Sequence, residues 1–197
     1  MKYLLLPAAI LLVAAAVSPA TAGEIRGTVT ATGAKHAGDA VIHVDKIEGK
    51  TFLPPEKHPV VDQKNLTFIP HVLPVLLGTT VEFLNSDDVL HNVFCPDKCA
   101  SKFNLGTWPK GRQKSFTYTQ PCVSMLLCNV HPEMEGYVVV AETPYFAVSG
   151  NSGSYVIPNV PAGTYTLKIW HQKLKAAAVT ITVPPEGSVT QDFALGK

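Results

Sequence analysis

From Gly23 onward no segment of this chain sustains a helical hydrophobic period; apolar or alternating runs of four to seven residues recur instead, between clusters of Gly, Pro, Asn and Asp. With 16 Pro and 14 Gly in 197 residues, the punctuation is too dense for long helices and suits many short strands. The expectation is an all-β chain, with strands near 24–30, 40–47, 64–69, 79–84, 91–95, 113–119, 123–128, 136–141, 145–149, 154–158, 164–170, 177–183 and 190–195. Lys173 to Ala178 looks helical in composition, but β-branched Thr180 to Val183 follows, so the stretch reads as a turn entering a strand.

At the amino terminus, Lys2, the apolar run Tyr3 to Val17 and the triplet Ala20-Thr21-Ala22 form a secretory signal pattern ending before Gly23. The run falls short of the roughly 20 residues of a spanning helix. No Cys follows it for lipid attachment, so an exported protein without a membrane span, periplasmic or otherwise extracytoplasmic, is expected. Of the 16 basic residues one is Lys2, and the other 15 balance 15 acidic ones. That balance, with 46% hydrophobic and 16% charged residues, excludes a disordered tail and a basic nucleic-acid binder.

Two seams divide the chain. Lys50 to Val60 carries Pro54-Pro55 and Pro59 and cannot lie inside a sheet; a second seam falls near Thr143-Pro144. The tail beyond it holds five short strands, too few to bury a stable core alone, while Gly23 to Lys46 offers two more. Glu24-Ile25-Arg26-Gly27-Thr28-Val29, Gly38-Asp39-Ala40-Val41-Ile42-His43-Val44, Gly153-Ser154-Tyr155-Val156-Ile157 and Val160 to Leu167 together resemble the carboxypeptidase regulatory-like (transthyretin-like) sandwich. The resemblance implies a discontinuous seven-stranded sandwich split by an insertion: a signal at 1–22, a first part with linker at 23–60, a middle domain at 61–141 and a second part at 142–197. The alternative is that the first strand pair extends the middle domain.

The middle segment holds the chemistry. Cys128-Asn129-Val130-His131-Pro132-Glu133-Met134 places a thiol, an imidazole and a thioether within seven residues after the apolar strand Val123 to Leu127. A short turn can aim all three at one point, whereas a continuing strand would send them to opposite faces. His91, after the polar turn Asn85-Ser86-Asp87-Asp88, supplies a second imidazole. Two imidazoles, one thiolate and one weak thioether are the ligand set of a mononuclear blue copper site, and soft sulfur suits Cu(I) while imidazole suits both oxidation states.

Gly78-Thr79-Thr80-Val81-Glu82-Phe83-Leu84-Asn85, His91-Asn92-Val93 and Cys128 to Met134 followed by Gly136-Tyr137-Val138-Val139-Val140 resemble cupredoxins of the plastocyanin and amicyanin type, the tight C-x2-H-x2-M spacing being most similar to amicyanin. The resemblance implies a Greek-key β-sandwich binding one type 1 copper through His91, Cys128, His131 and Met134. It also implies that the Asn92 side chain ties the two ligand segments together. Taken singly, His91 fits a hydrogen-bonded loop histidine, Cys128 a disulfide partner and Met134 core filler; taken jointly they do not. A zinc site is the chemical rival, but a thioether serves zinc poorly and only one thiolate is present. A binuclear copper centre would need a second Cys inside the turn.

Three cysteines remain: Cys95, Cys99 and Cys122. Antiparallel pairing of the strand after His91 with the strand ending at Cys128 would set Cys122 opposite about position 97. Either Cys95 or Cys99 then reaches it, Cys99 with Cys122 being preferred because a C-x3-C bridge closes a strained loop. Cys95 and Cys99 binding a second copper is the functional alternative. His36, His43, His58, His71 and His171 lack a second ligand type at metal spacing and read as surface or hydrogen-bonded residues; Trp108 reads as loop packing and Trp170 as a strand end. Lys110, Arg112 and Lys114 form a small basic stretch that suits either an acidic partner or a solvated strand edge.

The function expected is a non-enzymatic carrier of single electrons between a redox donor and a redox acceptor. The cupredoxin resemblance implies that His131 is the port, and Pro132, with Val89 or Leu90, would supply the apolar ring around it. A copper delivery, sensing or scaffold protein of the cell envelope is the alternative from another class.

Overall fold

The computed structural model describes residues 22–33, 36–96 and 102–197. Its strands are, in chain order, Ala22–Ala31 (β1), Val41–Val44 (β2), Val60–Lys64 (β3), Thr67–Ile69 (β4), Val72–Leu76 (β5), Thr80–Asn85 (β6), His91–Cys95 (β7), Phe103–Trp108 (β8), Gln113–Thr117 (β9), Val123–Leu127 (β10), Glu135–Ala141 (β11), Phe146–Val148 (β12), Ser154–Pro161 (β13), Gly163–Trp170 (β14), Val179–Val183 (β15), Ser188–Thr190 (β16) and Phe193–Leu195 (β17). No helix occurs among the described residues, so the all-β expectation holds.

Two sandwiches result. In the first, β13-β1-β16, with β17 also paired to β1, faces β12-β2-β14-β15. Alternation places Ile25 and Val29 of β1, Ile42 and Val44 of β2, and Leu167 of β14 on the buried side, while Arg26 and Thr28 face out. This sandwich has eight strands among the described residues rather than seven, because the run expected at 190–195 is two short strands that pair parallel to successive parts of β1. In the second sandwich, β5-β11-β10-β7-β8 faces β4-β3-β6-β9, and Val61, Phe83, Val93, Leu126 and Val138 fill the space between.

Three departures from the expected strands have local causes. The strand expected at 64–69 is a hairpin: Asn65 and Leu66 both have φ of 55°, forming a two-residue turn between β3 and β4. A leucine in left-handed backbone gives no turn signal in sequence. Strand β5 contains Pro74, tolerated because β5 is a sheet edge. Strand β8 carries Gly106 and alternates poorly, and Trp108 ends it as a core residue, 3% exposed, rather than packing a loop.

Strand β11 is buried from Gly136 to Ala141. Val138 and Val140 enter the second core, whereas Tyr137 and Val139 join Val72, Val41 and, at its edge, Trp170 in an apolar layer between the sandwiches. A solid apolar run, rather than an alternating one, is what a strand covered on both faces requires.

Candidate metal centre

The residues singled out in sequence gather at one end of the second sandwich. His91 Nδ1, Cys128 Sγ and a His131 ring nitrogen belong to one group whose ligand atoms all lie within 4.8 Å of one another. His131 Nδ1 stands 3.1 Å and Cys128 Sγ 3.9 Å from His91 Nδ1. Met134 is 1% exposed in the same core cluster as Cys128, and its N–H donates to the His131 carbonyl at 3.0 Å, which closes the turn and brings residue 134 back inside.

Each donor is positioned by a different local device. Cys128 directly follows β10 and receives the Asn92 backbone N–H on its sulfur at 3.4 Å. The Asn92 side chain donates to the Asn104 Oδ1 and the Gly106 carbonyl, both at 2.8 Å, and its own Oδ1 accepts from the Asn129 N–H at 3.2 Å. One amide thus joins β7, β8 and the Cys128 turn. In the β7–β10 ladder Leu127 lies opposite Phe94; the expected register would have set Leu127 opposite Asn92.

Asp87 and Asn85 escaped the sequence reading, which saw only a polar turn. Buried Asn85 donates to the carbonyls of Val89 and Trp108 at 2.8 and 2.9 Å and accepts the Asp87 N–H at 2.9 Å, fixing the loop that leads to His91. Asp87 accepts the N–H groups of Asn65 and Leu66 at 2.7 and 3.0 Å and meets His91 Nε2 at 2.9 Å. The left-handed β3–β4 turn and the His91 imidazole therefore share one carboxylate, and His91 is left with Nδ1 facing Cys128. Burial alone would push the Asp87 carboxyl up; the Leu66 N–H, the His91 imidazole and the Asn65 N–H outweigh it and hold the group below its ordinary value. An Asn-x-Asp turn followed by His four residues after the Asp was the signal available.

The remaining cysteines separate. Cys95 is a free thiol, 2% exposed, packed in the core. Cys99 lies outside the described residues, and with it the expected Cys99 to Cys122 bridge and the Cys95 and Cys99 site. Around partly exposed His131, Val89, Leu90 and Val130 are 44%, 52% and 44% exposed, and Pro132 is also at the surface. Lys110 is engaged with Asp88 at 2.9 Å, and Lys114 lies over the Trp108 ring and bonds the Leu105 carbonyl, so two members of the basic stretch are committed within the chain.

Two imidazole nitrogens and a thiol form a donor group suited to copper, with the buried Met134 thioether in the same core cluster: sulfur favours Cu(I), the imidazoles serve both states, and carboxylate oxygens that hard cations require are absent from the group.

Residues 133–196 match the family model of the carboxypeptidase regulatory-like domain. The match begins before β11, so it includes a strand of the second sandwich as well as the tail. No curated protein matches the chain. Among solved structures, an oxidised amicyanin variant is 26% identical, covering 44% of this chain and 84% of its own, with a TM-score of 0.41. A reduced amicyanin variant is 25% identical, covering 52% of this chain and 98% of its own, with a TM-score of 0.41. A purple cupredoxin from Nitrosopumilus maritimus is 23% identical, covering 42% of this chain and 99% of its own, with a TM-score of 0.38. The chain carries a carboxypeptidase regulatory-like match in its last third and is similar, over about half its length, to cupredoxins.

Proposed function

We propose that this chain is an exported copper protein that carries single electrons between a redox donor and a redox acceptor, with one ion held by His91, Cys128, His131 and Met134. The convergence of His91, Cys128 and His131 donor atoms within 4.8 Å at the buried end of a sandwich supports the reading most directly. In this reading the metal domain spans 61–141, inserted into a sandwich built from 23–60 and 142–197, with 1–22 removed on export.

Copper supplies one-electron exchange between Cu(II) and Cu(I) when bound. The protein's own contribution is to hold the donors still. Asp87 fixes the His91 ring through Nε2, Asn92 fixes the Cys128 turn, and the Asn92 N–H directed at Sγ holds the sulfur in place. Cys128 must release its proton on metal binding. Four donors leave no open position for a substrate, so no bond-breaking role is assigned. His131 is the electron port, and Val89, Leu90, Val130 and Pro132 form the small apolar contact that a brief redox encounter needs.

The test is electron self-exchange of the copper-loaded protein. Fast, reversible exchange is expected; a His131→Ala variant that keeps the colour and the exchange rate would contradict the port. The carboxypeptidase regulatory-like match favours a second reading, in which that sandwich docks a partner and the metal site delivers or senses copper. Slow self-exchange with rapid copper transfer to an apo acceptor would select it.

A further inference from the structure

The outer sandwich reaches the metal-ligand turn through a side-chain relay. His71 precedes β5; its Nδ1 lies 3.0 Å from the Glu135 carbonyl, immediately after Met134, and its Nε2 lies 2.8 Å from the Gln172 side-chain amide of the first sandwich. A carbonyl only accepts, so Nδ1 donates to Glu135; Nε2 faces the Gln172 Oε1, and a half-turn of that amide presents its NH2 to an unprotonated Nε2 instead.

Gln172 is held rigidly in turn. His171 Nδ1 accepts the N–H groups of Lys173 and Leu174 at 3.1 and 3.2 Å, and Leu174 is anchored in the first core at 3% exposure. On the other side, the His71 ring meets Tyr137 edge-on at 5.7 Å, Tyr137 packs on Trp170 at 5.0 Å, and the Tyr137 N–H donates to the His71 carbonyl at 2.8 Å. The relay therefore borders the apolar layer between the sandwiches, with its His71 to Glu135 contact on the exposed side.

We infer that His71 and Gln172 are positioning residues through which the carboxypeptidase regulatory-like sandwich holds the carboxyl end of the Cys128 to Met134 turn, and so sets how closely Met134 approaches the metal. The inference rests on the copper reading for its consequence at the metal, but the mechanical link exists without it. Among the described residues the Met134 side chain makes no hydrogen bond; its depth is set by packing in the second core, by its backbone N–H to His131, and on the carboxyl side by Glu135, which pairs with Leu127 and whose carbonyl meets His71. Loosening the His71 contact removes the restraint that comes from the first sandwich and leaves the ladder and the core packing in place. The thioether would be the weakest of the four donors, so the coupling should be read in what it contributes.

The test uses the full chain with Gln172→Met, which keeps the side-chain volume and removes the bond, and Gln172→Glu, whose carboxylate accepts from a ring N–H of His71. In the metal-free protein, amide hydrogen exchange of the turn through Glu135 to Tyr137 should quicken about 5-fold in Gln172→Met, the equivalent of one net hydrogen bond of about 1 kcal/mol. Gln172→Glu should restore it. In the copper-loaded protein, the thiolate-to-copper absorption and the EPR spectrum should shift in Gln172→Met and return in Gln172→Glu. Unchanged exchange at the turn, an acceleration spread evenly over both sandwiches, or a shift that Gln172→Glu does not restore overturns the inference. Failure of the parent chain to form a coloured copper complex would instead strike the copper reading, because the exchange measurement on metal-free protein is independent of it.

Discussion

The two sandwiches spend their buried positions differently. The first core is hydrocarbon almost throughout, and its buried Ser149 is satisfied on both sides, accepting the Ala40 N–H and donating to the Ala37 carbonyl. The second core gives the same kind of positions to His91, Asn92, Asn85, Gln63, Cys128 and Met134 at one end. Inward rows that continue hydrophobically elsewhere end there in polar residues: Val61 and Phe83 are followed two places on by Gln63 and Asn85. Burial that could have added cohesion instead fixes donors, and the first sandwich, packed against β11, supplies an outer wall.

The comparison yields tests in descending order of effect. Leu167→Ala, fully buried in the first core, should cost about 2–5 kcal/mol of stability in denaturant unfolding. Its copper affinity should not change; a parallel loss of affinity would show that the two cores do not divide stability from site. Asn92→Ala should cost less, about 1–3 kcal/mol, because the Asn129 N–H loses its acceptor, yet it should weaken copper binding by about 10–100-fold, read by competition with a chelator. An Asn92→Ala protein with unaltered affinity would remove that residue from the site. Asp87→Asn keeps a side-chain oxygen for one turn N–H and loses the charge facing His91; a cost of about 1 kcal/mol is expected, with the His91 ring NMR signals broadened. Sharp, unshifted signals would count against Asp87 as its anchor.

The smallest effect concerns pH in the first sandwich. Burial lowers the His43 pKa below 6.5, outweighing the Val44 carbonyl, Asp45 and Glu142, while Lys168 adds to the lowering. A histidine whose folded pKa is depressed binds its proton more tightly when unfolded. Its contribution is therefore complete above pH 6.5 and is lost as pH falls from 6.5 through the lower folded value. His43→Gln should flatten the stability slope between about pH 7 and pH 5; an identical slope in both proteins would assign the acid sensitivity elsewhere.

Strand existence was legible in β1 and β6, where one face alone is buried and alternation survives. It failed at β5, β8 and the β3–β4 turn, where the determining facts are tertiary: a sheet edge that tolerates Pro74, and an Asp87 carboxylate that accepts the N–H groups of a left-handed Asn65-Leu66 pair. The His91, Cys128 and His131 grouping was visible because chemistry restricts which residue types can converge on a soft metal. Asp87, Asn85 and the His71 to Gln172 link were not, since ordinary polar residues become informative only once the fold says what they face. Trp108 failed for the same reason: its place opposite His91 depends on the β7–β8 pairing.

The most direct measurement is a Cu(II) titration of the full chain followed by visible absorption and EPR, beside Cys128→Ser. The account predicts saturation at about one ion per chain, with intense thiolate-to-copper absorption that Cys128→Ser lacks. A colourless copper complex, or a Cys128 that remains open to alkylation after loading, would contradict it.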